Sequence, residues 1–302
     1  MKVKTDLSSI PGSMAGKTCL VTGANSGLGK AMAIELARRG AIVIMGCRRE
    51  YIDPLKEIRE NSASDKVSLR LVDLASLESV SLFCEALSND EIKLDILMCN
   101  AGMASPENEI SHDGNSLIFQ VNFLSYALMI KILLSNGVIP VQGCEGKSIP
   151  RIIFSSSTRH RGPLSIDFDH FGRFPEYSIL ETFRYYGLSK LYLMTYAWEL
   201  GRRLHVDGKP SVSVAAFCPG SFRSRIGRDV GLLGNLVMST RPISPEAAAW
   251  PGIYLACAPE IEGTTMIYFH KQEQEIPDAR AENPDNGKKL WQKTEEMLAS
   301  YS

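Results

Sequence analysis

Short apolar runs alternate with stretches of helical period along most of the 302-residue chain, and this alternation restricts the fold more than any other feature. The runs fall at residues 17–22, 41–47, 67–72, 94–99, 151–156, 211–217 and 264–269. Helical spacing occupies 28–39, 54–59, 77–87, 116–134, 184–204 and 245–256. Strands that read as apolar throughout are buried on both faces, and parallel neighbours need crossover helices. The pattern therefore predicts an α/β fold: a single Rossmann-type, doubly wound parallel sheet with helices on both faces. With no internal repeat, low-complexity tract or linker, residues 17-302 read as one domain preceded by an N-terminal extension over 1-16. Three connections, 137–150, 158-183 and 221-244, exceed a simple turn, and long loops in such domains are more often lids or binding loops than linkers.

The first apolar run ends in Thr22-Gly23-Ala24-Asn25-Ser26-Gly27-Leu28-Gly29, which opens directly into a helical pattern. A glycine-rich turn between strand and helix suits a dinucleotide pyrophosphate, because absent side chains let it reach backbone amides at the positive end of the helix. The spacing departs from Gly-x-Gly-x-x-Gly. Further on, Tyr186 and Lys190 stand four residues apart, which on a helix returns both to one face. A positive charge about 4 Å from a phenol, at an effective dielectric of about 20, favours its ionised form by roughly 4 kcal/mol, or about three pK units. A tyrosine so placed can trade protons near neutral pH.

A formal net charge of -1 gives no basic field for nucleic acid, so partners must be sought in pockets. Seven scattered cysteines, with no Cys-x-x-Cys pair or Cys/His cluster, read as reduced thiols without a metal site. Residues 1–14 contain no apolar stretch long enough for a signal peptide, and no uninterrupted run of about 18 apolar residues occurs. The expectation is a cytoplasmic protein with no transmembrane segment. The apolar patch at 231–238 leaves peripheral membrane contact open.

Taken jointly, the glycine turn, Asn100-Ala101-Gly102 after the fourth run, Ser157 after the fifth, Tyr186-x-x-x-Lys190 and Pro219-Gly220 after the sixth resemble the classical short-chain dehydrogenase/reductase family. The stretches GCRRE and RIIFSSS, and the ending from Tyr268-Phe269 to Leu290-Trp291, resemble its retinol dehydrogenase-like branch. The resemblance implies that Tyr186 exchanges a proton with the substrate oxygen. It implies that Lys190 lowers the tyrosine's pKa and holds the nicotinamide ribose, and that Ser157 hydrogen-bonds the substrate oxygen. Ser155 and Ser156 adjoin Ser157 and leave an offset of one residue open. Asn122 corresponds to a helix asparagine holding a water in the proton relay. Gly23, Asn25, Ser26, Gly27, Leu28, Gly29, Asp73, Leu74, Asn100, Ala101, Gly102, Pro219 and Gly220 correspond to cofactor-binding positions. Asp73 reads equally well as an N-cap for the helix that follows.

At the end of the second run, where an acidic residue would select NAD(H), the chain has Cys47 followed by Arg48 and Arg49. An arginine fork suits a 2'-phosphate, so NADP(H) is the expected cofactor, with Arg48 the principal contact. Phe168, Phe171, Phe174, Tyr177, Phe183, Leu232, Leu233 and Met238 make the two long loops apolar, which points to a hydrophobic carbonyl or alcohol of retinoid, steroid or lipid type. Those residues could equally pack the loops onto the body. The partner expected is that small molecule and no nucleic acid, with a homodimer left open. Two rival functions remain at this stage. An extended-branch epimerase would need glycine at the position of Ser26, and a non-catalytic NADP(H) sensor would have no use for Tyr186, Lys190, Ser157 and Asn122 together.

Overall fold

The computed structural model describes residues 7–141, 148–220 and 243–301. Among these, seven strands run parallel: β1 (Thr18–Thr22), β2 (Ile42–Cys47), β3 (Val67–Leu71), β4 (Ile96–Cys99), β5 (Arg151–Ser155), β6 (Ser213–Cys218) and β7 (Ile267–His270). A short strand β8 (Glu273–Glu275) pairs antiparallel to β7 and closes the edge, giving the order β8-β7-β6-β5-β4-β1-β2-β3. The connections are α1 (Gly27–Arg38), α2 (Ile52–Ser62), α3 (Leu77–Asn89), α4 (Leu117–Ser135), α5 (Thr182–Arg203) and α6 (Pro245–Cys257), and α7 (Pro284–Met297) follows the sheet.

Why the strands read as continuous apolar runs is visible in how they divide their side chains. Leu20, Ile44, Leu97 and Ile152 enter one buried cluster, with α3, α4 and α5. Their neighbours Val21, Met45, Met98 and Ile153 enter a second cluster on the other face, with α1 and α6. Successive strand residues point to opposite faces, so a sheet covered on both sides buries every position. Full burial of each such side chain stabilises the fold by about 1.5–3 kcal/mol.

Strand order reverses between β1 and β4, and this places the turn after β1 beside the segment after β4 at the carboxyl edge of the sheet. A crevice at such a switch point is where open α/β sheets bind ligands. Residues 7–16 of the extension pack onto the body: Ile10 and Met14 are buried, and Arg39 donates to the carbonyls of Leu7, Ile10 and Gly12 at 2.7, 2.9 and 3.1 Å. Helix α4 is long and apolar enough to cross a membrane by length and composition, a point that counting uninterrupted apolar runs does not register. It is 78% buried inside the protein, as a core helix is. β8, α7 and the small hairpin pairing His205–Val206 with Lys209–Pro210 lie outside the elements expected from the sequence.

Candidate active site

The turn after β1 is built for close approach. A Cβ on Gly29 would lie 2.4 Å from the Gly23 carbonyl oxygen and 2.6 Å from Asn100 Nδ2, so only glycine lets α1 start against the β4 segment. Ser26 caps α1 by position but makes no side-chain cap bond, which leaves the first amides of the helix open to a phosphate. Thr22 then ties the two segments together: its Oγ1 accepts from Asn100 N (2.9 Å) and Ala101 N (3.1 Å) and lies 2.9 Å from Tyr126 Oη, which donates to Ala101 O at 2.6 Å. Asn100 Nδ2 donates to Thr22 O at 2.9 Å. The sequence reading passed over Tyr126, although it stands one helical turn beyond Asn122.

Tyr186 and Lys190 lie on α5, both buried, facing the carboxyl end of β5. Lys190 Nζ donates to the Ser155 carbonyl at 2.9 Å and has no carboxylate partner among the described residues. Asn122 lies in a π-helical turn of α4, Gln120–Leu124, a local widening frequent at functional sites. Its side chain is fully engaged with neighbouring segments: Oδ1 accepts from Met103 N (2.8 Å), and Nδ2 donates to Met103 O (2.8 Å) and Ser189 Oγ (2.9 Å). Ser189 in turn donates to Tyr186 O at 2.7 Å, so it joins Asn122 to the tyrosine's own helix turn. Beside Gly102, Asn122 Oδ1 and Lys190 Nζ would lie 3.1 and 3.4 Å from an added Cβ.

The three adjacent serines separate cleanly. Ser155 lends its carbonyl to Lys190, and its hydroxyl donates to Asn100 Oδ1 at 3.2 Å. Ser156 is buried with an unpartnered hydroxyl. Ser157, half-buried, lies near enough to the Tyr186 hydroxyl to favour its ionised form, and its own hydroxyl accepts from Arg159 N at 3.3 Å, capping the 3-10 turn Thr158–Arg161. That turn rests directly on α5 at Gly187, where a Cβ would stand 2.5 Å from the Arg159 carbonyl oxygen. Gly187→Ala should therefore push the turn off α5 and part Ser157 from Tyr186. Since misplacements of about 1 Å can cost on the order of 10²-fold in rate, kcat should fall by roughly 10- to 100-fold with dinucleotide affinity nearly unchanged, as steady-state kinetics and fluorescence titration would show.

Burial pushes the Tyr186 phenol well above its ordinary value, reinforced by the nearby Cys218 and opposed by the Arg159 charge and the Ser157 hydroxyl. Burial likewise pulls the Lys190 ammonium down to about 8. The sequence reading placed a full charge about 4 Å from the phenol. Here Nζ lies 5.7 Å from the Tyr186 ring centroid and is bonded to a carbonyl, and burial, not the Lys190 charge, dominates the phenol's pKa.

The remaining expected positions are placed as follows. Cys47 is buried against the glycine turn, its thiol facing the amides of Ala24 and Asn25, while Arg48 and Arg49 are exposed and unpaired among the described residues. Asp73 is not a helix cap: Ser76 caps α3, and Asp73 Oδ1 instead accepts from Ala75 N at 3.0 Å, a short turn that fixes the carboxylate after β3. Leu74 is buried, and its carbonyl accepts from Ser125 Oγ at 2.6 Å. Cys218 ends β6 ahead of Pro219 and Gly220, and its sulfur accepts from Thr158 N at 3.3 Å. Phe171 and Phe174 turn inward onto Phe119 and Tyr192, and Tyr177 stacks on Tyr185 at 4.3 Å, so these three pack the loop onto the core. Phe168 stacks on Phe171 beneath Lys289. Phe183, one turn before Tyr186, is half-buried under the Arg159 guanidinium at 4.4 Å. Leu232, Leu233 and Met238, with the patch at 231–238, lie outside the described residues.

The same chain matches a family model for short chain dehydrogenases over residues 17–163. It is 35% identical to human retinol dehydrogenase 13, covering 94% of this chain and 85% of that protein. Against human retinol dehydrogenase 14 the identity is 37%, covering 95% and 88%. A solved structure of an uncharacterized protein from Mycobacterium paratuberculosis is 26% identical, with a TM-score of 0.74 over 97% of each chain.

Proposed function

The chain belongs to the short-chain dehydrogenase/reductase family, in its retinol dehydrogenase-like branch, and on that premise we propose an NADP(H)-dependent interconversion of an apolar alcohol and its carbonyl by tyrosine, lysine and serine chemistry. Family membership makes it an alcohol/carbonyl oxidoreductase acting on a small molecule. The finer reading is supported by one observation above the others: a buried ammonium with no counter-ion among the described residues lies one helical turn beyond a buried tyrosine, and both face the end of β5 where Ser155 to Ser157 stand.

The residues fit the cofactor. The open amides of α1 at Ser26 to Gly29, with Gly23 and Asn25, would hold the pyrophosphate, and Gly29 sets them there by letting α1 start close against Gly23 and Asn100. Arg48 would take the 2'-phosphate, Asp73 and Leu74 the adenine, and Asn100, Ala101 and Gly102 the adjoining ribose. Lys190 would bind the nicotinamide ribose, beside Pro219 and Gly220. When bound, the nicotinamide supplies or accepts the hydride. In the reducing direction Tyr186 Oη gives its proton to the carbonyl oxygen, and the Ser157 hydroxyl donates to the same oxygen as negative charge develops there. Its raised pKa keeps Tyr186 protonated at neutral pH, which suits that donor. The phenolate left behind is stabilised by Lys190 and regains a proton from solvent; Asn122 and Ser189 hold the helix turn that carries it.

The proposed substrate class is supported by the relatives named as retinol dehydrogenases and by Phe183 one helical turn before Tyr186. The test is NADPH oxidation across a panel of apolar aldehydes and ketones with retinal included; no turnover of any of them would remove this reading. For the cofactor, one charged hydrogen bond is worth about 1.5–3 kcal/mol, so Arg48→Ala should lower kcat/KM for NADPH by roughly 10- to 100-fold and leave NADH nearly unaffected. An unchanged NADPH/NADH ratio would take Arg48 out of the site.

A further inference from the structure

We propose that His160 is a positioning residue for Ser157, holding the serine's carbonyl with one ring nitrogen and a C-terminal strap at Asp278 with the other. The inference rests on the reading of Ser157 as the group that meets the substrate oxygen.

The ring is 1% exposed and both of its nitrogens are engaged. Nδ1 lies 2.6 Å from the Ser157 carbonyl oxygen, and Nε2 lies 3.1 Å from the Asp278 amide nitrogen. A main-chain N–H can only donate, so Nε2 must accept and the single ring proton must sit on Nδ1, donating to Ser157. The tautomer is thus fixed by the partners. The strap itself is rigid: Arg280 grips the Asp278 carboxylate at 2.7 and 2.8 Å and donates to the carbonyls of Gly162 and Leu164, both at 2.8 Å. Arg161 pairs with Glu275 at 2.9 Å and donates to Ile276 O at 2.6 Å, so the whole turn after Ser157 is fastened to residues 275–280. The Tyr268 ring closes the pocket edge-on at 5.3 Å.

Protonation of His160 would turn its acceptor into a second donor aimed at the Asp278 N–H, and the strap would let go. The charged and titratable groups facing the ring are Arg161 on its own turn, Asp278 and Arg280 on the strap, and Tyr268 on β7. Burial, aided by the two arginines and opposed by the Ser157 carbonyl and Asp278, holds the imidazole below its ordinary 6.5. Because the folded value lies below the unfolded one, stability from the neutral ring is complete above 6.5 and declines as the pH falls from there through the folded value. Turnover should decline over the acid end of the same window.

The test compares wild type with His160→Asn, whose amide nitrogen can take the place of Nδ1 and donate to Ser157 while its oxygen falls short of the Asp278 amide, and with His160→Ala. We expect kcat to fall roughly 10- to 100-fold in His160→Asn, with KM and NADPH affinity changed little and the acid limb of the kcat profile lost. Hydrogen exchange should accelerate together at residues 157–161 and 276–280, a readout that needs no substrate. Exchange that rises on one side only, or a variant with wild-type kcat and the same acid limb, would overturn the proposal. If wild type reduced no carbonyl while the two segments still opened together, the catalytic reading of Ser157 would fail and the coupling through His160 would stand. Should His160→Ala not fold, His160→Asn alone carries the comparison.

Discussion

Tyr186→Phe should lower turnover by about 10² to 10⁴ while leaving NADPH affinity and thermal stability close to wild type. The substitution removes one hydroxyl and keeps the ring, which is buried as part of the hydrophobic core. Steric loss is therefore small. What disappears is the proton that the carbonyl oxygen must receive as hydride arrives. A positioned acid in a site shielded from water has no ready substitute, since solvent must then enter to supply the proton. The measurement is single-turnover reduction of an aldehyde that wild type accepts, with NADPH binding followed by fluorescence in parallel. Retention of full turnover would exclude Tyr186 as the proton donor. Tight NADPH binding by a wild type inert toward the whole panel would favour the sensor function instead.

The parts of this site legible in the sequence are those written into one element or one turn. Tyr186 and Lys190 share a helix face because their spacing is four, and the glycine turn is contiguous from Gly23 to Gly29. The strands declared themselves because burial on both faces demands apolar residues at every position, as in Cys19 to Val21. What stayed hidden depends on partners far along the chain. His160 looks like any loop histidine until Asp278, 118 residues away, is seen to donate to it. The strand Glu273–Glu275 sits at the sheet edge and carries two glutamates around a glutamine, so no apolar alternation betrays it. Helix α7 is clearly amphipathic, but its period rests on few apolar residues, Leu290 buried and Trp291 stacked on Tyr196 among them, so a scan for apolar stretches passes it by. Aromatic residues in the long loop misled in the opposite direction. Phe171, Phe174 and Tyr177 are apolar in a loop that adjoins the site, yet their rings complete the core beneath it. Composition marks a loop as apolar, and only packing says which way it faces.

Lys190→Met should make the protein more stable at neutral pH and nearly inactive. The ammonium is 3% exposed, its pKa is pulled from 10.5 to about 8 by burial, and its partner is a single carbonyl. For a base whose folded pKa is depressed, the unfolded chain takes up the proton first as pH falls. The fold therefore loses stability from above 10 down to about 8 and carries the full cost at pH 7. A shift of this size corresponds to about 3 kcal/mol, from which the unsatisfied Ser155 carbonyl left by methionine subtracts about 1–2 kcal/mol. A net gain of roughly 1–2 kcal/mol is expected at pH 7, shrinking as the pH is raised toward 10, and chemical denaturation at the two pH values would measure it. Turnover should move the other way, by about 10² or more, because the phenolate left on Tyr186 loses the charge that stabilises it and the ribose loses a donor. A residue whose removal strengthens the fold and abolishes the reaction is retained for the reaction. If Lys190→Met were instead less stable at pH 7 than wild type, the ammonium would be a structural anchor for β5, and the site would have to find its cation elsewhere, with Arg159 the nearest alternative.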